Sequence, residues 1–245
     1  MHDRGGVRVA DRDEVVKDLL LLIQEAAEPL GAGALRWGLQ ERGHGLSEAT
    51  VGRLLGDLEA QGFLEKDRNK GRRLTPEGRK HLALLEQASV RDSAARDFVD
   101  SVLSQDRDRI LELLEARRAV EQETARLAAQ HATEEDVEDL RRSVEIMESQ
   151  AREGKGVSEE DTRFHRILAR AGGNRLLGAA VDLLRQNPFY ARELEIIRRE
   201  AGRVANPDHR KILEAVEQRD PELAELAMRR HLDNLMEDCR RYWRR

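Results

Sequence analysis

The sequence predicts a mainly α protein, with an N-terminal winged helix-turn-helix and a C-terminal all-α helical bundle. Three observations predict it. Apolar residues recur at helical spacing through most of the chain, and strand-like runs occur only around residues 63–76. Three short helical segments precede a basic hairpin. In the second half, Asp161, His165, His209 and His231 stand on three separate helical segments.

The elements follow in order. RDEVVKDLLLLIQEAA reads as the first helix and Gly31-Ala-Gly33 breaks it. ALRWGLQERG is a short second helix, stopped by Gly43-His-Gly45. Ser47 takes the N-cap position of the third, because its hydroxyl can accept a free backbone N–H. That helix, SEATVGRLLGDLEAQG, carries an apolar stripe of Val51, Leu54, Leu55 and Leu58. FLEKD and RRLTP read as two short strands about an Asn69-Lys-Gly71 turn. Thr75 and Pro76 then open another helix. Residues 12–86 form the first domain, 87–107 a partly helical linker, and 108–243 the second domain.

Composition narrows the function. Of 245 residues, 37% are charged and only 3% aromatic, which suits a helical protein with many surface ion pairs. One cysteine, Cys239, excludes an intramolecular disulfide framework and fits a reducing compartment. The N-terminus has no signal-peptide core, and the longest apolar run, Leu19–Ile23, is far too short to cross a bilayer. A cytoplasmic protein with no membrane partner is expected.

The net charge is -5, yet Lys66, Arg68, Lys70, Arg72, Arg73, Arg79 and Lys80 face only Asp67 and Glu77 within one stretch. Such a patch is what phosphate contact requires, although charge runs are often plain solvated loops. In the third helix Ser47, Thr50 and Arg53 lie near the N-terminus, where recognition helices meet base edges. Arg53 suits a guanine edge and Thr50 a thymine methyl or a phosphate. Arg68, Lys70, Arg72 and Arg73 on the wing suit phosphate or minor-groove contact. The run GHGLSEATVGRLLGDLEAQGF and the wing NKGRRLTPEG resemble winged helices of the ribonuclease R N-terminal and archaeal nitrogen-regulation repressor type. That resemblance implies binding of double-stranded DNA rather than catalysis.

From Ile110 onward every segment has helical period. Thr133-Glu-Glu-Asp136 is a capping box, and one long helix is expected from Asn174 to about Arg199, bent near Pro188. Asp161 and His165, four apart, share one helical face. His209 and His231 lie on two later helices joined at Asp220-Pro221. Three imidazoles and a carboxylate suit a divalent transition metal, with zinc, nickel or manganese as candidates. Ser158-Glu-Glu-Asp161 equally fits a capping box, in which Asp161 only caps its helix.

LLEARRAVEQETARLAA, ATEEDVEDL, DTRFHRILARAGGN and HRKILEAVEQRDPELAELAMRRHL, in that order, resemble the FCD effector domain of GntR-superfamily bacterial regulators. The resemblance implies that Asp161, His165, His209 and His231 are metal ligands. It also implies that Arg117 faces the pocket, one turn from Glu121. An inward arginine near a cation needs an anion between them, so a small carboxylate effector is expected. A surface ion pair of Arg117 with Glu121 is the plain alternative. Asn174 either lines the pocket or caps the preceding helix. GntR regulators usually carry an SRxxVRxAL-like third helix, whereas this chain has SEATVGRLLGDLE, so the chain reads as an FCD-type sensor fused to another winged helix.

The resulting expectation is a homodimeric, ligand-responsive regulator, a repressor that binds an operator. The rivals are a metal-dependent hydrolase and a sensor of the metal ion itself.

Overall fold

A computed structural model describes residues 9–67, 71–202 and 207–244. The chain divides into two compact units, Met1–Asp97 and Phe98–Arg245.

In the first unit, α1 (Val9–Glu25), α2 (Ala32–Glu41) and α3 (Glu48–Ala60) precede strands β1 (Leu64–Lys66) and β2 (Arg72–Leu74). Helical spacing puts Leu19, Leu20 and Ile23 of α1 against Leu35 and Leu39 of α2 and Val51, Leu55 and Leu58 of α3. The expected stripe on α3 is present, with Leu54 packed at its edge. The strands pair antiparallel with Leu64 opposite Leu74, and both leucines join this core. Gly71 sits at φ +138°, and a Cβ there would lie 2.6 Å from the Leu30 backbone, so the wing's return past Leu30 requires glycine. Gly31 caps α2 instead of standing outside it, so Gly33 falls inside that helix.

The helix α4 (Pro76–Val102) begins where Thr75 Oγ1 accepts the Gly78 N–H at 2.9 Å. It runs through most of the segment expected as a linker. Residues 87–102 contain neither glycine nor proline and hold several alanines, so nothing in them stops the helix. A turn and a 3-10 helix (Arg107–Arg109) follow.

The second unit comprises α5 (Ile110–His131), α6 (Glu134–Arg152), α7 (Ser158–Ala171), α8 (Arg175–Leu184), α9 (Pro188–Glu200), α10 (Asp208–Glu217) and α11 (Pro221–Trp243). Helix α5 is central, packed by α7, α8, α10 and α11. Its Ala125, Ala128 and Ala129 are fully buried, and such small side chains let neighbouring helices approach closely. The Thr133–Asp136 capping box forms, and Asp220 caps α11 with Pro221 in its first turn. The expected single helix through Pro188 is instead two. Pro188 has no N–H to continue the ladder, and Asn187 caps α9 by accepting the N–H groups of Phe189 at 3.0 Å and Tyr190 at 3.4 Å.

A candidate metal and anion centre

Helix α7 turns Asp161 and His165 inward one turn apart, α10 supplies His209 from its first turn, and α11 supplies His231 from its middle. All four are buried, and one donor atom from each lies within 4.8 Å of the others. His209 Nε2 is 3.0 Å from Asp161 Oδ1. His165 Nε2 and both ring nitrogens of His231 have no hydrogen-bond partner. Asp208 Oδ2 lies 3.8 Å from His231 Nδ1, beyond hydrogen-bond reach. Buried polar atoms left without partners are costly, and a metal ion would satisfy these.

The protonation states suit that role. Burial, then the neighbouring Arg185 guanidinium, holds the His165 pKa well below its usual value. Burial and then His209 push His231 down to about 4. Both imidazoles are therefore neutral near pH 7 and keep a lone pair for a metal. Burial opposes ionisation of Asp161, but Arg198 and Arg185 outweigh it and hold the carboxyl well below the usual range. Two neutral imidazoles, a third from His209, and a carboxylate are a donor set that fits a divalent transition metal. The capping role for Asp161 does not form: Val157 occupies the N-cap, and Ser158 Oγ donates to Glu195 Oε2 at 2.6 Å.

Around these four stands a shell of ion pairs. Glu121, fully buried on α5, accepts from Arg117 Nε at 2.7 Å and from Arg185 Nε and Nη2 at 3.1 and 2.8 Å. Its Oε2 also lies 2.5 Å from His165 Nδ1. A carboxylate against the second ring nitrogen is the usual means of fixing a metal-binding imidazole. Burial opposes ionisation of Glu121 too, and Arg117, Arg185 and His165 together keep it charged. Arg185 also donates from Nη1 to Asp161 Oδ2 at 2.8 Å, and Arg198 Nη1 donates to Asp161 Oδ1 at 3.1 Å.

Arg117 is buried, so its pair with Glu121 is not the surface pair of the plain alternative. Its Nη2 has no partner, and the residue lines a cavity of about 30 Å³ with Asp161, Arg185, Tyr190 and Arg198. Three guanidiniums here face two carboxylates, an excess of one positive charge. A bound dication would raise that excess, and an anion would be attracted. Asn174 does not join the centre. It is exposed and caps the following helix, accepting from Leu176 and Leu177 N–H at 3.1 and 3.2 Å.

Glu121 entered the sequence reading only as a possible partner of Arg117, and Arg185 and Arg198 did not enter it. In a chain this rich in charge, no arginine stands out. The Gln186-Asn187-Pro188 break was the one signal that Arg185 sits on a turn rather than a helix face.

On the first unit, Ser47 caps α3 by accepting Thr50 N–H at 3.2 Å. Its Oγ is 2.9 Å from Thr50 Oγ1, to which Arg53 donates at 3.3 Å. Ser47 and Arg53 are exposed, Thr50 half-buried. On the wing, Arg73 is exposed and pairs with Asp67 at 2.9 Å. Arg72 folds back toward Glu59 of α3, at 3.6 Å, and is only 22% exposed. Arg68 and Lys70 lie outside the described residues.

Comparison with known proteins places the chain in a family. Residues 112–234, half of the chain, match the FCD domain, and the chain belongs to the FCD-domain family. Residues 17–82 match the ribonuclease R winged-helix domain. The chain is 34% identical over 139 residues to the Uxu operon transcriptional regulator of Escherichia coli (strain K12), covering 51% of each chain. It is 32% identical over 121 residues to the HTH-type transcriptional repressor NanR of Salmonella newport (strain SL254), covering 47% of this chain and 45% of that one. It thus spans about half the length of the curated relatives it matches. Among solved structures it is similar to Streptococcus agalactiae GntR, at 20% identity and TM-score 0.47, with 92% of this chain and 98% of that chain covered. Among the described residues, no helix is long and apolar enough to cross a membrane.

Proposed function

We propose that the protein is a ligand-responsive transcriptional regulator, a repressor, that binds operator DNA through the winged helix as a homodimer. Its bundle holds a divalent transition metal, zinc, nickel or manganese, on Asp161, His165, His209 and His231, and senses a small carboxylate. The observation that carries this reading is the buried donor set with unpartnered imidazole nitrogens beside the unpartnered Arg117 Nη2. The two family matches, over residues 112–234 and 17–82, support the pairing of a DNA-binding unit with a sensor. When bound, the metal supplies a Lewis-acidic seat for one carboxylate oxygen. Arg117 then donates to the effector, and Glu121 holds both Arg117 and His165 in place. Against hydrolysis, Glu121 and Asp161 are both paired with guanidiniums, which leaves neither as a free general base.

On the DNA side, Ser47, Thr50, Arg53 and Arg73 form the face toward the duplex, with Arg53 reading a base and Arg73 the backbone. Dimerisation supplies two half-sites, since one winged helix makes few base contacts. The test is selection of duplexes from a random pool by the metal-loaded chain, followed by anisotropy titration of the enriched sequence. Enrichment of a two-fold-symmetric site supports the reading, and recovery of no selective duplex overturns it.

A further inference from the structure

The cavity beside Arg117 has about 30 Å³, room for a few water molecules at most. Outside lies a cleft of about 660 Å³ between α7 and the start of α9. Arg185, Ser158, Thr162, Asn187 and Ala191 line both spaces. Of these, Arg185 alone carries a charge, and its guanidinium is the part bound to Glu121 and Asp161. An anion coming from the cleft therefore meets Arg185 before it meets Arg117.

Two residues further on, Asn187 performs a different task. Its Nδ2 donates to the carbonyls of Val102 at 2.8 Å and Ser104 at 2.7 Å. Its Oδ1 caps α9. One buried amide thus has all its hydrogen-bonding capacity engaged, and half of it holds the end of α4. Tyr190 adds a third bond, from Oη to the Asp106 carbonyl at 3.1 Å, and Arg107 pairs with Glu193 of α9 at 3.1 Å. The Val102 carbonyl that ends α4 thus accepts from a side chain more than eighty residues away, while Val99 keeps a local bond from the Leu103 N–H.

We propose that Arg185 is the gate of the effector site and that the Arg185–Asn187 turn transmits its position to the C-terminal end of α4. In one state the guanidinium rests on Glu121 and Asp161. In the other it follows an incoming carboxylate, the two spaces join, and Asn187 is drawn off the Val102 and Ser104 carbonyls. Only Gln186 separates the two residues, so a shift of Arg185 backbone by an ångström or so cannot be absorbed between them. A ligand that binds the second arrangement better shifts the population toward it. Helix α4 is the element that begins in the DNA-binding unit, so its release is what the sensor reports. The proposal rests on the bundle being the sensor, but its test needs neither operator nor effector.

The test is hydrogen exchange by mass spectrometry on the full chain: wild type, Arg185→Gln, Arg185→Lys, Asn187→Ala, and the Arg185→Gln/Asn187→Ala double variant. Peptides covering 99–109 report the device, and peptides from α6 and α11 report folding. The Leu103 N–H, bonded to Val99 O at 2.9 Å, is among the amides read. Asn187→Ala and Arg185→Gln should each speed exchange in 99–109, on the order of tenfold, with α6 and α11 unchanged. The double variant should add nothing to Asn187→Ala, and Arg185→Lys, which keeps the charge, should restore part of the protection. A general structural loss would move α6 and α11 as well and would not be rescued by lysine. Wild-type exchange in 99–109 of Arg185→Gln overturns the proposal, as does a double variant whose effects simply add. If α6 and α11 loosen in Arg185→Gln, the same comparison is read from Arg185→Lys against Asn187→Ala/Arg185→Lys, with the same two outcomes decisive. Failure of DNA selection would refute the regulator reading and leave this result standing.

Discussion

The buried histidines make the metal-free bundle sensitive to mild acid. In the folded state burial and His209 hold His231 at about 4, whereas the unfolded chain takes up a proton near its usual value of 6.5. Between those values the unfolded state binds the proton and the folded state does not, so stability falls as pH falls. A shift of that size, at about 1.4 kcal/mol per unit, corresponds to about 3 kcal/mol lost between pH 6.5 and 4. His165, also held low by burial and Arg185, acts in the same direction. Asp161 and Glu121 have lowered values, so their contribution is lost only below the ordinary carboxylate range, in a separate window. The assay is urea unfolding of chelator-treated protein from pH 7.5 to 5. It is followed by fluorescence of Trp243, which packs against the bundle core, in a Trp37→Phe background because Trp37 is 60% exposed on α2. Wild type should lose stability across this range, and His231→Gln should lose distinctly less. Equal slopes in the two proteins would refute the reasoning, because His231 would then be protonated alike in folded and unfolded chains.

Three further outcomes follow from the same geometry. Glu121→Gln removes the charge that faces His165 Nδ1, and metal affinity measured by competition with a chromophoric chelator should fall roughly 10–100-fold. Arg117→Ala should leave that affinity near wild type while abolishing the protection of the bundle by any carboxylate that stabilises the metal-loaded wild type, as read from the unfolding midpoint across a panel of acids. Arg53→Ala should relax base preference at one position, costing about 1–3 kcal/mol, whereas Arg73→Ala should weaken all duplexes and reduce the salt slope by about 1, as read by anisotropy at several salt concentrations.

The sequence reveals some of this architecture more readily than the rest, and the difference has a physical basis. Ser47, Thr75 and Thr133 were legible as caps because a cap is decided within four residues. Asp161, His165, His209 and His231 were legible because few residue types bind metals and the chain has only seven histidines. Arg185 and Arg198 were not, because their role is set by which turn faces the cavity rather than by residue type. Asn174 and Asn187 each stand ahead of a helix in the structure, although Asn187 falls inside the single helix expected from sequence. Only packing distinguishes them: Asn174 caps α8 at the surface, while Asn187 is buried and reaches the end of α4. The stretch 87–107 reads as a partly helical linker, and the helix fills it through Val102 because polarity does not stop a helix that lacks glycine and proline. The Asp161 capping box does not form because Val157 takes the N-cap place, and Asp161, still in the first turn, pairs instead with Arg185, Arg198 and His209.

The central claim is that Asp161, His165, His209 and His231 together hold one divalent metal ion. Native mass spectrometry of the chelator-treated chain, re-exposed to zinc, nickel and manganese in turn, tests it most directly. Wild type should take up one ion per chain of at least one of these metals, and His209→Ala/His231→Ala should take up none while still folding. Equal loading of wild type and the double variant, or no loading of wild type by any of the three, would contradict it.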